Sequence, residues 1–269
     1  MDNRAIGIFD SGLGGLTAAK ALKELMPDEN IIYFSDSGRM PYGSRSAAQL
    51  REICRQDMDL LRDCGVKAII AACGTISSNA ASVIESYELP SIGVMLPGAE
   101  AMSRLGGHGP LAVIATAASI RDGGFLKALR ECCPEREIMD IPCPDFASLI
   151  EHGHSRRDDP LLQDAIERYL APLRNHAPDG LLLGCTHYGI IADSIDAWLG
   201  GRVPLVSASE SAAAKMRDYL VSHGMQGSGG SLRFLTSGDV RELSEFAAPL
   251  FGLDSIEVGQ IPVMEVSAE

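Results

Sequence analysis

Short, fully apolar runs alternate along this chain with longer segments in which apolar residues recur at helical spacing. Ile6-Gly7-Ile8-Phe9 predicts a buried strand, residues 10–15 a turn, and Leu16, Ala19, Leu22 and Met26 one face of a helix. Residues 31–34 predict a second strand. Ser46-Ala47-Ala48-Gln49 is a capping-box pattern. It opens a helix with Leu50, Ile53, Cys54, Leu60, Leu61 and Cys64 on one face and Gly65 as its stop. Further strands are predicted at residues 67–72, 91–95, 111–115, 137–141, 180–183 and 203–206. Leu161, Leu162, Ala165, Tyr169, Leu170 and Leu173 mark another amphipathic helix. Strands that are apolar throughout and separated by helices point to an α/β fold with parallel sheets covered on both faces.

A weak internal repeat refines this picture. Ile69-Ile70-Ala71-Ala72-Cys73-Gly74-Thr75 and Leu181-Leu182-Leu183-Gly184-Cys185-Thr186-His187 share one order: apolar strand, small residue, cysteine, then threonine within two positions. Two related lobes would each set a cysteine at the carboxyl end of a strand, where open parallel sheets bind ligands. A cleft between the lobes would then receive one cysteine from each side. The Gly/Ser-rich residues 224–231 read as a flexible surface loop. No linker divides the chain cleanly, which leaves room for interleaved lobes.

Composition narrows the partners. The 269 residues are 46% hydrophobic and 22% charged, with mean hydropathy +0.07, ample for a globular core. At about 150 residues per domain, that length makes one large or two small domains. A net charge of −13 disfavours nucleic-acid phosphates and anionic membranes, although a local site can still oppose it and hold a small anion. The N-terminus lacks the pattern of a signal peptide, and no apolar run approaches the roughly 20 residues that span a bilayer. Seven cysteines without Cys-x-x-Cys spacing argue against a disulfide framework or a structural zinc site, so a cytoplasmic protein with reduced thiols is expected. His152-Gly153-His154 reads as surface histidines at a helix end, since no carboxylate or cysteine partner follows at ligand spacing; no metal is expected.

Cys54, Cys64, Cys132 and Cys133 read as core residues, and Cys143, between two prolines, as structural. Cys73 and Cys185 differ, because a strand-to-helix junction offers free N–H groups and a field that favours a thiolate. Thr75 and Thr186 place hydroxyls beside them, and His187 can tune or relay the proton of Cys185. Two thiols across one pocket suit racemisation: one sulfur removes an α-proton while the opposite thiol delivers another, and the roles reverse for the other enantiomer. Asp10 can orient or deprotonate Cys73, touch a substrate ammonium, or cap a helix. Ser11, Gly12 and the glycines after them can present N–H groups to a carboxylate. Gly12, Gly14 and Gly15 lack the dinucleotide spacing, there is no P-loop lysine, and nothing requires a pyridoxal lysine.

At these residues the sequence resembles the glutamate racemase family of the aspartate/glutamate racemase superfamily. Phe9-Asp10-Ser11-Gly12-Leu13-Gly14-Gly15 resembles that family's opening motif, and Pro41-Tyr42-Gly43 its substrate-binding Pro-Tyr-Gly. Cys185-Thr186-His187-Tyr188 matches its second cysteine motif, Cys143-Pro144 with Phe146, Leu149, Glu151 and Gly153 its Cys-Pro segment, and Thr236-Ser237-Gly238-Asp239 its C-terminal motif. The resemblance implies a cofactor-independent racemase making D-glutamate for peptidoglycan. It implies Cys73 and Cys185 as the acid/base pair, with Asp10, Glu151 and His187 as auxiliaries. It implies substrate contacts from Ser11, Pro41, Tyr42, Gly43, Thr75 and Thr186. It also implies two pseudo-symmetric lobes, residues 1–96 with 207–269 and residues 97–206, with the active site in the cleft between them, and a homodimer.

Two departures bear on activity. Gly74 replaces the asparagine of the family's Cys-Asn-Thr, removing an amide expected to bond substrate; an unpaired buried partner there would cost about 1–3 kcal/mol. Ser119 stands where the family has threonine, and keeps the hydroxyl. Gly74 prompts two rival expectations: a superfamily member racemising aspartate or another acidic substrate, or a non-catalytic paralogue that binds an acidic ligand.

Overall fold

A computed structural model describes residues 1–264 and 266. The first part of the chain runs β1 (Ile6–Asp10), α1 (Leu16–Leu25), β2 (Ile31–Ser35), α2 (Ala47–Asp63), β3 (Ala68–Ala71), α3 (Gly74–Asn79), α4 (Ala81–Glu85), β4 (Ser91–Gly93) and α5 (Met95–Ser103). Next come β5 (Leu111–Ala115), α6 (Ala117–Asp122), α7 (Gly124–Cys132), β6 (Ile138–Pro142), α8 (Phe146–Glu151), α9 (Pro160–Leu170), β7 (Gly180–Leu183), α10 (Ala192–Leu199) and β8 (Leu205–Ser207). The chain closes with α11 (Ala208–Ser222), β9 (Leu232–Thr236), α12 (Val240–Leu250) and β10 (Val258–Gln260).

The strands form two parallel sheets, ordered β10-β9-β2-β1-β3-β4 and β6-β5-β7-β8. The expected α/β architecture with helices flanking parallel sheets is present. β1, β3, β5 and β7 are buried at every position, as central strands of a sheet covered on both faces must be. Between the sheets, one apolar core joins Ile8, Ile70, Val113 and Leu182 to Leu22 of α1, Met102 of α5 and Met216 of α11. A second core covers the outer face of the four-stranded sheet under α8, α9 and α10, and a third lies beneath α2 and α4 on the six-stranded sheet.

The capping box at Ser46 and Gln49 forms both of its bonds, and Gly65 ends the following turn at φ +79°. Other boundaries moved. The predicted strand at 91–95 stops at Gly93 because Met95 already begins α5. β9 and β10 had no counterpart in the pattern; β9 is interrupted by exposed Arg233, and β10 is three residues long. The loop at 224–231 is not free. Lys67 Nζ, buried in a pair with Glu29 at 2.6 Å, also bonds the Met225 carbonyl, and the Gly227 N–H donates to Glu29. Long-range bonds to a buried ion pair override the flexibility that the composition suggests. No helix among the described residues is long and apolar enough to cross a membrane.

Candidate active site

Cys73 and Cys185 occupy equivalent places. Each follows the end of a central strand, β3 or β7, by one small residue, Ala72 or Gly184, and each starts a short helical turn. The strands aim them at one cavity of about 280 Å³. From the first lobe that cavity is lined by Asp10, Ser11, Pro41, Tyr42, Gly43, Cys73, Gly74 and Thr75. From the second it is lined by Ser119, Glu151, Cys185, Thr186 and His187, so the candidate acid/base and substrate-binding residues all reach it, while Gly12, Gly14 and Gly15 do not.

The surroundings of the two sulfurs differ. Cys73 donates to Ser11 Oγ at 3.6 Å, and the Asp10 carboxylate lies beside both. Burial, reinforced by the charge of Asp10, pushes the Cys73 thiol up from its ordinary pKa. Here the structure departs from the expected thiolate: desolvation outweighs the N–H groups of the junction. Burial likewise raises the Asp10 pKa, against the opposing pull of His187 and of the Gly15 and Ser11 N–H groups. Those two N–H groups, expected to face a substrate carboxylate, donate instead to Asp10 at 2.6 and 2.8 Å.

Cys185 has a histidine neighbour. His187 Nδ1 lies 3.7 Å from its sulfur, while Nε2 meets Glu151 Oε1 at 2.9 Å. Burial disfavours the imidazolium, but the bonds to Cys185 and Glu151 and the charge of Asp10 outweigh it and hold the His187 pKa well above its ordinary value. The helix α8 brings Glu151 to this point, one turn from Ser148 and Ala147, which also line the cavity. Thr17 at the start of α1 ties the halves together by donating to the Thr186 carbonyl at 3.1 Å.

Tyr42 lines the cavity, and its phenol donates to the Asp36 carboxylate and lies 3.3 Å from Asp57. Burial, and then the charge of Asp36, push Asp57 well above the carboxylate range. Position 74 is tightly enclosed: a Cβ there would lie 2.8 Å from the Gly184 carbonyl oxygen. His152 bonds the Ser148 carbonyl and His154 pairs with Asp159, both outside the cavity.

The sequence reading missed Met40, Thr116, Ala118, Pro144, Ala147, Ser148 and Gly184 as lining residues. Ser148 carried a signal, since it shares one face of a helix with Glu151. Thr116 carried another, as the hydroxyl residue directly after a buried strand; it caps α6 and bonds Ser119 Oγ at 3.0 Å.

Two thiols at strand ends, each beside its own ionisable groups, face one cavity. Residues 17–216 match the model of the Asp/Glu/Hydantoin racemase family. A glutamate racemase of Chlorobaculum tepidum is 39% identical over 82% of this chain and 81% of its own length. The crystal structure of a glutamate racemase isoform from Bacillus anthracis superposes with a TM-score of 0.88 at 29% identity, covering 98% of each chain. That of Francisella tularensis glutamate racemase in complex with D-glutamate gives 0.86 at 32% identity, again over 98% of each. The chain belongs to the Asp/Glu/Hydantoin racemase family and is an isomerase of the racemase type.

Proposed function

We propose that the protein interconverts L- and D-glutamate without a cofactor, using Cys73 and Cys185 as acid and base on opposite faces of the α-carbon. One sulfur, as thiolate, takes the α-proton; the carbanion left behind takes a proton from the opposite thiol. The sulfurs end with exchanged protonation states, and the reverse reaction restores them. The observation that carries this reading is the paired placement of the two thiols at strand ends on one cavity.

Asp10 and Ser11 serve Cys73, and His187 with Glu151 serves Cys185. A positive His187 stabilises the neighbouring sulfur whenever that sulfur is a thiolate, and burial strengthens the effect. The cavity has no lysine or arginine among its lining residues. The substrate's carboxylates are therefore assigned to hydroxyls and free N–H groups, with Ser11, Thr75, Ser119 and Thr186 as donors, and its ammonium to Asp10 or Glu151. Pro41, Tyr42, Gly43 and Gly74 form the wall.

The setting proposed with this activity is a cytoplasmic homodimer supplying D-glutamate for peptidoglycan, on the strength of the similarity to bacterial glutamate racemases. The lobe boundaries proposed are residues 1–96 with 207–269, and 97–206, in keeping with the division of strands between the sheets. To test the activity, the protein is incubated with L- or D-glutamate in D₂O without added cofactor, following circular dichroism and α-deuterium uptake. Exchange with aspartate but not glutamate would reassign the substrate, and no exchange with any acidic amino acid would remove the catalytic reading.

A further inference from the structure

The segment of residues 36–45 has two faces. On one, Met40 to Gly43 line the cavity. On the other lies a buried polar network. Arg39 Nε donates to Asp36 at 2.7 Å and Nη2 to Asp57 on α2 at 2.5 Å, while Tyr42 donates to Asp36. Arg39 Nη1 donates to Gln56, and the Arg39 carbonyl accepts from Arg45. Arg39 is 1% exposed, and Asp36 and Asp57 not at all.

The turn after β9 is docked onto this network from far along the chain. Ser237 Oγ donates to the second oxygen of Asp36 at 2.7 Å and accepts from the Gly38 N–H at 2.9 Å. Ser37 Oγ meets Thr236 Oγ1 at 3.2 Å. The fit requires glycine at position 38, where a Cβ would lie 2.7 Å from the Ser237 carbonyl oxygen. None of these side-chain bonds reaches Cys73, Cys185, His187 or Glu151.

We propose that Ser237 and Gly38, acting through Asp36, Arg39 and Asp57, are positioning residues for the Pro41-Tyr42-Gly43 wall, so that the C-terminal turn sets substrate affinity from outside the cavity. The proposal rests on the racemase reading for its kinetic consequence. A wall held by this network presents its ring and backbone to the bound amino acid without touching the reacting atoms. Loosening it weakens ground-state and transition-state binding alike, which appears in KM and spares kcat.

The test uses Ser237→Ala, which deletes both bonds without added bulk, and Gly38→Ala, which pries the segments apart. Each should raise KM for glutamate about tenfold with kcat within about twofold, the pattern of a displaced binding wall. Gly180→Ala at the start of β7 in the other sheet, also crowded but outside this contact, serves as the control and should leave KM unchanged. Amide hydrogen exchange on the free protein should accelerate at residues 42–45 in both variants and in neither control nor wild type. Unchanged KM and unchanged exchange in both variants would overturn the proposal, as would a fall in kcat with KM unchanged alongside a lowered melting temperature. If wild type fails to racemise glutamate, the function reading is wrong, and the exchange measurement still decides whether the turn holds the wall.

Discussion

The two cysteine sites are nearly the same in backbone and unlike in chemistry. Each sulfur follows a buried central strand and one small residue. Cys73 has a hydroxyl and a buried carboxylate beside it, and its thiol is pushed up by burial. Cys185 has an imidazole 3.7 Å away whose far nitrogen is held by Glu151. A repeated fold thus delivers two equivalent positions, and the residues after each strand make them unequal. The two sulfurs face one cavity with different neighbours.

The largest effect expected is the loss of either sulfur. Cys73→Ser and Cys185→Ser should each lower racemisation by about 10³-fold, the weight of one positioned acid or base. Circular dichroism of either glutamate enantiomer measures it. If one variant kept near-wild-type turnover, the comparison would collapse, since a single sulfur would be serving both faces.

The supporting groups come next. Asp10→Asn and His187→Asn should each cost about 10²-fold in turnover. Their effects should fall on opposite directions of the reaction. The equilibrium constant between enantiomers is unity, so kcat/KM must stay equal in the two directions for every variant. The asymmetry therefore shows in kcat and KM measured separately from L and from D. His187 adds a pH signature. Its pKa is raised, so the imidazolium is present through neutral pH and is lost as pH rises through the raised value. Wild-type kcat should fall on that alkaline limb in the direction that relies on Cys185 as base, and His187→Asn should abolish the limb. Identical pH profiles in both directions for all three proteins would argue that the two surroundings are functionally equal.

Much of this asymmetry was legible in the sequence. The strands carrying the cysteines are apolar throughout, so their burial and the strand-end placement of Cys73 and Cys185 follow from the pattern alone. The histidine two positions after Cys185 has no counterpart after Cys73, and this too is visible. The protonation of Cys73 was not, because burial is set by the whole cavity rather than by the local junction. Nor was the Asp36–Arg39–Asp57 network. Asp57 sits in an amphipathic helix, where a carboxylate reads as solvent-facing, and its cation lies eighteen residues back, on a different segment. β9 escaped because Arg233 breaks its apolar run, although the resemblance had already marked Thr236-Ser237-Gly238-Asp239 at its end.

The smallest effect sharpens the comparison at the point where the two cysteine turns meet. Gly74 follows Cys73, and a side chain there would point its first carbon at the Gly184 carbonyl, 2.8 Å away, just before Cys185. The sequence alone suggests that restoring the family's asparagine would supply a missing substrate contact. The geometry reverses that expectation, because backbone rather than a movable side chain stands in the way. Overpacking of this kind costs about 1–3 kcal/mol. Gly74→Asn and Gly74→Ala should therefore both lower the melting temperature by a few degrees, roughly 2–4 °C per kcal/mol for a chain of this size. Both should reduce kcat/KM for glutamate severalfold by prying the turns apart. If Gly74→Asn instead raised kcat/KM while Gly74→Ala lowered it, the amide would be repaying the strain through a substrate bond, and the close approach of Gly74 to Gly184 would be a tolerated loss rather than a fit particular to this chain.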